Sequence, residues 1–391
     1  MRELMVSLKR RPWLAGAAVA LTATLGLAGC DLSSLTGGTQ CTPQTCDYVV
    51  NSLVAIPGAS GVTLLADSAN SVYQYDGSKW NKVGAESAQA RQSLIASPTF
   101  ATDQTVFQGD IASNDGGKTF HAICTTVIAV SPNFAQDKTV FGKDAGTSAE
   151  TTNGAGTKVP GPTGCPSSQG AYYISKDSGA TWTAVQGPQG AGDPDPFFVS
   201  PGFKTDKTIF ATFTINGVTA LYKTSNGGQS WSKSLDNRQG IVAISPNFAS
   251  DQTVISVAND QVSRSTDGGA TWQKLTAPID AATVKEIAFS PTYTSDQTVI
   301  LVSAAVDKGS TVKHGTFISK DGGQSWTQQN ADLTQRGQNY PAFVFSPNYT
   351  QDKIVYTASL GQGQGPAMST DLGQTWTPFA TGLDLQSGLG G

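Results

Sequence analysis

An eight-residue pattern recurs along most of this 391-residue chain. It reads Ser/Thr-x-Asp-x-Gly-x-Thr/Ser-Trp, and we call it the octet. Full copies occupy residues 113–120, 175–182, 224–231, 265–272, 319–326 and 369–376, and a shortened copy occupies 75–80. Every Trp except Trp13 ends one of these copies, and Phe120 ends the remaining one. A repeat at a nearly fixed period constrains the fold more strongly than any other feature of the chain.

The octet has the chemistry of a tight hairpin turn. Asp-Gly and Gly-Gly steps supply the positive φ that such turns need, and the Asp carboxylate can accept hydrogen bonds from the backbone N–H groups that follow it. One copy has Asn226 in place of Asp, and an amide oxygen can accept equally. The alternative is metal ligation or acid catalysis. We favour a structural role, with no metal, for Asp76, Asp115, Asp177, Asn226, Asp267, Asp321 and Asp371.

The octet resembles the Asp-box, or bacterial neuraminidase repeat, of sialidases, sortilin-type receptors, xyloglucanases and the propellers that serve photosystem II assembly. Six full copies and one shortened copy between Asp76 and Trp376 carry this resemblance. The resemblance implies a β-propeller fold. Because proteins with this repeat differ widely in function, it implies no particular activity.

A second motif alternates with the octet. It reads Ser-Pro-x-Phe/Tyr-x-x-Asp-x-Thr/Ile-Val/Ile, and its copies are 97–106, 131–140, 200–209, 245–254, 290–299 and 346–355. Short β-branched runs such as 241–244 and 253–257 flank it and indicate strands. Since Pro cannot donate to a β-ladder, Ser-Pro predicts a turn between those strands. One repeat therefore reads strand, Ser-Pro turn, strand, variable loop, strand, octet turn, strand.

The octet acids are spaced by (371 − 76)/6, about 49 residues on average. Four strands in about 40–50 residues are typical of a propeller blade. We therefore predict an all-β chain, a single seven-bladed β-propeller of four-stranded antiparallel blades, with blades at roughly 48–84, 93–123, 124–184, 197–235, 239–276, 284–328 and 340–380. Stacked solenoids are the alternative architecture. Ring closure is expected where blade 7 docks on blade 1, with reinforcement by residues 41–47.

The N-terminal residues have the pattern of an export signal. Four basic residues precede an apolar run at 14–25 that is short for a membrane span. Residues 27–30, Leu-Ala-Gly-Cys, resemble a bacterial lipobox, which implies a diacylglyceryl group on Cys30 and anchoring to a bilayer on the outer side of the cytoplasmic membrane. An ordinary signal peptide with an incidental Cys is the alternative. The expected segments are a signal at 1–29, a lipidated Cys and flexible tether at 30–47, the propeller at 48–384 and a disordered tail at 385–391.

Charge excludes one class of partner. Without residues 1–29 the chain has 25 − 4 = 21 basic and 29 − 1 = 28 acidic residues, a net charge near −7. No basic run follows residue 11. The sequence therefore predicts no nucleic-acid binding, and no motif in it indicates a cofactor.

Four further cysteines, Cys41, Cys46, Cys124 and Cys165, allow three pairings. Export favours disulfides over the alternative of a metal site. We favour Cys41–Cys46 and Cys124–Cys165, because Cys124 opens strand 1 of blade 3 and Cys165 ends the long insertion of that blade. The second bond would tie the insertion to its own blade and stabilise the fold by roughly 3 kcal/mol.

Strand alternation sorts the loops onto two faces. Ser-Pro turns and octet turns share one face, which we call the scaffold face. Strand 2-to-3 loops and the connections between blades share the other, the variable face, where the sequence diverges at 143–170, 193–196, 307–315, 335–340 and 361–366. Loops that vary over a fixed scaffold often bind, and neutral drift is the alternative. The candidate binding residues there are Arg91, Asp193, Asp195, Arg238, Glu286, Lys313, His314, Arg336 and Tyr340.

A sialidase-type glycosidase is the enzymatic hypothesis. The resemblance implies three arginines that hold a substrate carboxylate, a Tyr nucleophile with a Glu partner, and an acid/base Asp. Arg91, Arg238 and Arg336 precede strand 1 of three blades, and Glu286 and Tyr340 precede strand 1 of blades 6 and 7. The chain has no Phe/Tyr-Arg-Ile-Pro motif, however, so we assign no catalytic residue.

The function predicted from sequence is therefore that of a non-enzymatic module. We expect a membrane-anchored, extracytoplasmic β-propeller that binds or helps assemble an envelope protein or a glycan. A sialidase-like glycoside hydrolase that uses the variable face is the main alternative, and a packing role in a surface coat is another.

Overall fold

The computed structural model describes residues 46–47, 50–58, 61–68, 71–83, 94–144, 150–152, 158–160, 165–166, 170–236, 240–258, 261–278, 284–303, 315–329, 343–360, 365–383 and 386–387. Regular structure in these ranges is almost entirely β-strand, and the helices there are six single turns of four residues. Nothing helical in them is long or apolar enough to cross a bilayer.

The described strands form seven four-stranded antiparallel sheets, and each sheet follows chain order. We number the sheets blades 1 to 7. The first three blades consist of β2 (Val50–Gly58), β3 (Gly61–Ser68), β4 (Ser71–Tyr75) and β5 (Trp80–Lys82) in blade 1; β6 (Leu94–Ala96), β7 (Val106–Gln108), β8 (Ile111–Ser113) and β9 (His121–Ala122) in blade 2; and β10 (Thr126–Val130), β11 (Val140–Lys143), β14 (Tyr172–Ser175) and β15 (Thr183–Val185) in blade 3. The other four blades consist of β16 (Phe197–Val199), β17 (Ile209–Ile215), β18 (Val218–Thr224) and β19 (Ser232–Asp236) in blade 4; β20 (Ile241–Ile244), β21 (Val254–Ala258), β22 (Gln261–Ser265) and β23 (Gln273–Leu275) in blade 5; β24 (Val284–Phe289), β25 (Val299–Ser303), β26 (Gly315–Ser319) and β27 (Thr327–Gln328) in blade 6; and β28 (Phe343–Phe345), β29 (Val355–Leu360), β30 (Gly365–Ser369) and β31 (Thr377–Pro378) in blade 7. Four strands lie outside the blades: β1 (Cys46–Asp47), the hairpin of β12 (Glu150–Thr152) and β13 (Lys158–Pro160) between β11 and β14, and β32 (Gln386–Ser387).

The repeats keep one register. In blades 2 to 7 the first residue of strand 2 pairs with the Ser or Thr that opens the octet, as in Val254 with Ser265 and Ile209 with Thr224. First strands of neighbouring blades contact one another from blade 1 to blade 6, and β2 of blade 1 contacts β28 of blade 7. Between blades 6 and 7, the N–H of Phe343 in β28 donates to Glu286 of β24. The predicted seven-bladed β-propeller is confirmed.

The hydrophobic core is divided among the junctions between blades. Each of the seven buried clusters in the described residues combines side chains from two adjacent blades. Middle strands are accordingly buried on both sides, as in β25 and β26, whereas the outer strands β27 and β31 are exposed. The stability of the ring therefore comes from apolar contacts between blades more than from any single central core.

The Ser-Pro motif differs from its prediction as a simple turn. It forms a one-turn helix in each of blades 2 to 7: α1 (Phe100–Asp103), α2 (Phe134–Asp137), α3 (Phe203–Asp206), α4 (Phe248–Asp251), α5 (Tyr293–Asp296) and α6 (Tyr349–Asp352). In α4, Ser245 donates from Oγ to Asp251 Oδ2 at 2.6 Å, and Asp251 Oδ1 accepts the Thr253 N–H at 2.9 Å. The Ser before the helix and the Asp at its end are thus bonded to each other, and the Asp also accepts a hydrogen bond from the backbone that follows the helix.

The aromatic residue that opens each helix is buried against the preceding blade. Phe107 meets Phe134, and Phe210 meets Phe248, edge to face with ring centroids 6.2 and 6.0 Å apart. Burial of this ring explains why the motif requires Phe or Tyr at the position. The helix therefore places an aromatic ring in the space between two adjacent blades.

Ring closure occurs where blade 7 meets blade 1. Trp80 is 2% exposed, stacks on Phe379 at 5.7 Å and donates from Nε1 to the Phe379 carbonyl at 2.8 Å. β1 pairs with β32 beside this junction, through Cys46–Ser387 and Asp47–Gln386. This pairing joins two residues of the segment predicted as a tether to two of the segment predicted as a tail.

Candidate functional site

The scaffold face is built from octets whose polar groups bond within the turn. In blade 5, Asp267 Oδ1 accepts the N–H groups of Ala270 and Thr271 at 3.0 and 2.9 Å. Thr271 Oγ1 donates to Asp267 Oδ2, and Ser265 Oγ donates to Asp267 Oδ1 at 2.8 Å. The carboxylate therefore has four donors from its own octet, and it serves the turn.

Electrostatics agree with this structural role. The hydroxyl and backbone donors of Thr271 hold the pKa of Asp267 well below its usual range. Asn226 replaces the carboxylate in blade 4, yet its Oδ1 accepts the Ser230 N–H at 3.0 Å and its Nδ2 donates to Ser230 Oγ at 2.8 Å. A neutral side chain builds the same turn, so the octet needs an acceptor at this position and needs no charge.

Octet turns and Ser-Pro helices lie on one face, as predicted. In blades 2 to 6, the carbonyl of the residue that follows the helix accepts an N–H of the octet in the same blade, as in Gly116 to Gln104 at 2.9 Å and Gly268 to Gln252 at 2.9 Å. The ends of strand 2 and the starts of strand 3 consequently lie on the opposite, variable face. This leaves the variable face as the candidate functional surface.

The strand 2-to-3 connections on the variable face differ in length. Blade 4 has a two-residue turn at Asn216 and Gly217, both with positive φ, which suits a tight hairpin. The next residue, Val218, is 63% exposed and is the one exposed large apolar side chain in the described ranges. In blade 3 the same connection is the long insertion, within which β12 pairs with β13. Among the connections that the structure describes, those of blades 3 and 4 therefore differ clearly in form.

A disulfide between Cys124 and Cys165 ties the insertion to blade 3, as predicted. Cys124 belongs to the buried cluster between blades 2 and 3, and Cys165 packs against it. The C-terminal end of the insertion is therefore attached by a disulfide to a residue of the buried core. Cys41 and the predicted Cys41–Cys46 bond lie outside the described residues.

Two carboxyl groups meet beside the insertion. The side chain of Asp193, in the connection to blade 4, lies close to that of Asp144, which follows β11. Desolvation and the neighbouring carboxyl of Asp144 raise the pKa of Asp193, and Lys143 acts in the opposite direction. Asp195, two residues on, is exposed. This corner of the variable face is acidic, and the sequence signal for it was the Asp-Pro-Asp-Pro run at 193–196.

Glu286 lies within β24 and not before it, which corrects its predicted position. A register irregularity between Val284 and Glu286 turns the side chain toward blade 7, where Oε2 accepts the Phe343 N–H at 2.8 Å. Ser52 occupies the matching place in blade 1, and its Oγ accepts the Leu94 N–H of blade 2 at 3.0 Å. These side chains link first strands of adjacent blades.

Burial raises the pKa of Glu286 to about 7, against the opposing hydrogen bond from Phe343. Protein atoms surround the carboxyl closely, although part of the side chain still reaches solvent. The group therefore titrates near neutral pH at the inner edge of the variable face.

The remaining candidate residues, Arg91, Arg238, Lys313, His314, Arg336 and Tyr340, lie outside the described residues, as does Cys30. Within the described ranges no three His, Cys, Asp or Glu side chains group as metal ligands would. An open depression of about 500 Å³ lies at the outer strands of blade 6 and is lined by Thr327, Gln328, Gln329 and Gln374. None of its four lining residues is titratable.

Comparison with known proteins gives one family match and several fold matches. A model of the sortilin family (Sortilin-Vps10, described as "Sortilin, neurotensin receptor 3") matches residues 219–364, less than half of the chain. No curated protein sequence matches.

Among solved structures, the extracellular domain of BT4673 from B. thetaiotaomicron has a TM-score of 0.51 and 9% identity over 83% of this chain and 38% of its own. YCF48 from Cyanidioschyzon merolae has a TM-score of 0.48 and 12% identity over 83% and 95%. The GH74 xyloglucanase from Xanthomonas campestris has a TM-score of 0.40 and 16% identity over 86% and 68%. At these identities the comparison concerns the fold alone, and the β-propeller itself rests on the seven four-stranded sheets.

Proposed function

We propose that this protein is a membrane-anchored, extracytoplasmic binding module that recognises an envelope protein or a glycan through its variable face. The observation that carries the proposal is the Cys124–Cys165 disulfide. It fixes an insertion of blade 3 on the face where loops differ, and a prearranged loop loses less conformational entropy when it binds.

The distribution of polar groups supports the same conclusion. On the scaffold face, the octet acids bond within their own turns, so little of their bonding capacity remains for a ligand. On the variable face, Asp193 and Asp195 are exposed beside the fixed insertion. A binding surface needs polar groups that a partner can reach, and the variable face supplies them.

Anchoring is the second part of the proposal. The lipobox-like residues 27–30 would place a lipid on Cys30, and that lipid would hold the propeller at the outer side of the cytoplasmic membrane. In cells, Cys30→Ser should move the protein from the membrane fraction to the soluble extracytoplasmic fraction. A Cys30→Ser protein that remains in the membrane fraction would contradict lipid anchoring.

A loop exchange tests the binding face. Residues 145–164 are replaced by a short Gly-Ser linker, with Cys124 and Cys165 kept so that the disulfide still forms. Partners are cross-linked in intact cells, purified with the protein and identified. We expect the exchange to remove a specific partner, whereas Lys118→Ala with Gln374→Ala, two exposed residues of octets, should leave it bound.

Two results would overturn this function. Retention of every partner after the loop exchange would mean that the insertion does not bind. Hydrolysis of a fluorogenic sialoside by the purified protein, with loss of the activity in Arg336→Ala, would favour the glycosidase instead. Thermal unfolding of each variant shows whether its fold is intact.

A further inference from the structure

We infer that the variable face is turned toward the membrane that holds Cys30, and that its partner is a protein of that same membrane. The inference rests on the proposed anchoring and adds to it an orientation and a class of partner. Its evidence is the place where the chain enters the propeller.

The entry point follows from strand directions. Strand 1 of blades 2 to 7 ends at a Ser-Pro helix on the scaffold face, so it starts at the variable face. In blade 1, β4 ends at the shortened octet on the scaffold face, and strand alternation therefore places the start of β2 at the variable face. β2 is strand 1 of blade 1, and β1 (Cys46–Asp47) precedes it by two residues. The chain between Cys30 and the propeller therefore joins the disc at the edge of its variable face.

β1 is held at that edge. It pairs with β32 next to the junction of blades 7 and 1, in which Val50 and Leu383 are both buried. The pairing therefore holds the end of the tether, Cys46–Asp47, at this edge of the propeller.

The length of the tether limits the distance from the bilayer. Between Cys30 and Cys46 there are 46 − 30 = 16 residue steps. Fully extended, such a segment spans about 55 Å, but a flexible chain of this length has a root-mean-square span of about 22 Å. The seven residues of β18 alone cover about 20 Å between the two faces. In a propeller with its scaffold face toward the membrane, passing the disc would use about 20 Å of this average span, so that reaching the bilayer would require further extension of the tether at an entropic cost.

Charge favours a protein over the lipid surface as the occupant. The acidic corner of the variable face, with Asp144, Asp193 and Asp195, and the net charge near −7 of the chain after residue 29 oppose contact with anionic lipid. A protein that is embedded in the membrane, or attached to it, can instead present a complementary surface within the reach of the tether.

A matched pair of labels tests the orientation. Val218→Cys and Gln229→Cys place a donor dye at exposed positions near opposite ends of β18, one on each face. Without reductant, the lipidated protein is labelled and inserted into phosphatidylcholine vesicles that carry a headgroup acceptor dye, with the unsubstituted protein as the control for background labelling. We expect clearly higher energy transfer from Val218→Cys. Equal or reversed transfer on vesicles that retain the protein overturns the orientation alone, whereas failure of retention overturns the anchoring as well.

Two further measurements test the partner. The soluble Cys30→Ser protein should not bind phosphatidylglycerol vesicles, and binding to them would favour lipid as the occupant. A photo-cross-linker at position 218 in intact cells should form an adduct that resists alkaline extraction from membranes, and one at position 229 should not. Adducts with soluble proteins only, or no adduct at 218, contradict a membrane-protein partner.

Discussion

At the residue scale, one side chain in each octet organises the scaffold face. Asp321 is representative: its Oδ1 accepts the N–H groups of Gln324 and Ser325, both at 2.9 Å, and Ser319 Oγ donates to the same oxygen at 2.7 Å. The donors lie within four residues of the acceptor, so the turn depends on local sequence. This is why the sequence alone predicts it.

Asp321→Ala should therefore destabilise the propeller by about 1–2 kcal/mol, because two backbone N–H groups lose their acceptor. Asp321→Asn should cost distinctly less, since Asn226 already forms the equivalent turn. Urea unfolding of the two variants measures the difference. An equal loss in both would mean that the negative charge is required. Asn226→Asp, which introduces a carboxylate into a working turn, is the control and should be close to neutral.

The same carboxylates predict how stability depends on acid. Partial burial acts to raise the pKa of Asp115 and of Asp321, but bonds from Thr119 and Ser113, and from Ser325 and Ser319, outweigh it and lower each pKa to about 2. A lowered folded-state pKa gives stability that is present above the unfolded value near 4 and is lost as pH falls toward 2. The melting temperature should fall across that window. Asp321→Asn should make the fall shallower, and an unchanged slope would contradict this cause.

The residue that follows each Ser-Pro helix is less obvious from sequence. Gln252 and Lys207 directly follow α4 and α3 and have a φ of 51°, a left-handed conformation that usually favours Gly. Gln252 Nε2 donates to the Phe248 carbonyl at 2.8 Å, and Lys207 Nζ lies 5.2 Å from the centre of the Phe203 ring. These contacts offset the strained backbone and explain Gln and Lys at this position.

At the scale of elements, the blades are joined by contacts that their own sequences do not reveal. Glu286 and Ser52 both lie at a register irregularity of their strands and both bond to the first strand of the next blade. The titration of Glu286 near neutral pH is therefore a property of the junction.

Glu286 predicts a pH dependence opposite in sign to that of the octets. Burial raises its folded-state pKa to about 7, above the unfolded value of about 4.3. Its contribution is full below about pH 4 and is lost as pH rises through 7. Stability should therefore decline between pH 5 and 8, on the order of 1–2 kcal/mol because water reaches part of the side chain.

Glu286→Gln should abolish this decline, because an amide oxygen still accepts from Phe343 and does not titrate. Ser52→Ala is the matched control: it removes the equivalent bridge in blade 1 and should lower stability without changing its pH dependence. Thermal melts at several pH values give both slopes. A decline that persists in Glu286→Gln would assign it to another group.

The disulfide joins the insertion to its blade. Cys124→Ser with Cys165→Ser should lower the free energy of unfolding by roughly 3–4 kcal/mol, because a closed loop of 41 residues is released in the unfolded state. Urea unfolding with and without reductant measures this, and reductant should have no further effect on the double variant. The seven sheets should persist, since β10, β11, β14 and β15 pair through their backbones. Loss of the far-ultraviolet β signal would show that the bond supports the blade itself.

At the scale of the whole molecule, the ring closes through contacts between residues far apart in sequence. Trp80 and Phe379, 299 residues apart, share a hydrogen bond and stack in the cluster between blades 7 and 1. Each blade has its four strands without help from another, so this junction relies on side-chain packing and on the short β1–β32 pair.

Trp80→Ala should therefore cost about 3–5 kcal/mol, as expected for loss of a buried aromatic side chain. Hydrogen exchange should accelerate first in β2 and β29, whose side chains share the cluster with Trp80. Trp272→Ala in blade 5 is the control, and because Trp272 is only partly buried it should cost clearly less. Equal losses of unfolding free energy in the two variants would show that the junction of blades 7 and 1 contributes no more to stability than the packing around Trp272.

The sequence by itself determined the period, the number of blades, the turns of the scaffold face and the division into two faces, because those features depend on bonds between residues a few positions apart. It also indicated the Cys124–Cys165 bond. Only the tertiary structure decided that the Ser-Pro motif is a helix plugged between blades, that Asp144 meets Asp193, that Glu286 reaches blade 7 and that Trp80 closes the ring. Those features depend on which side chains meet once the blades pack together, and the burial that shifts a pKa or fixes an aromatic ring exists only in the assembled ring.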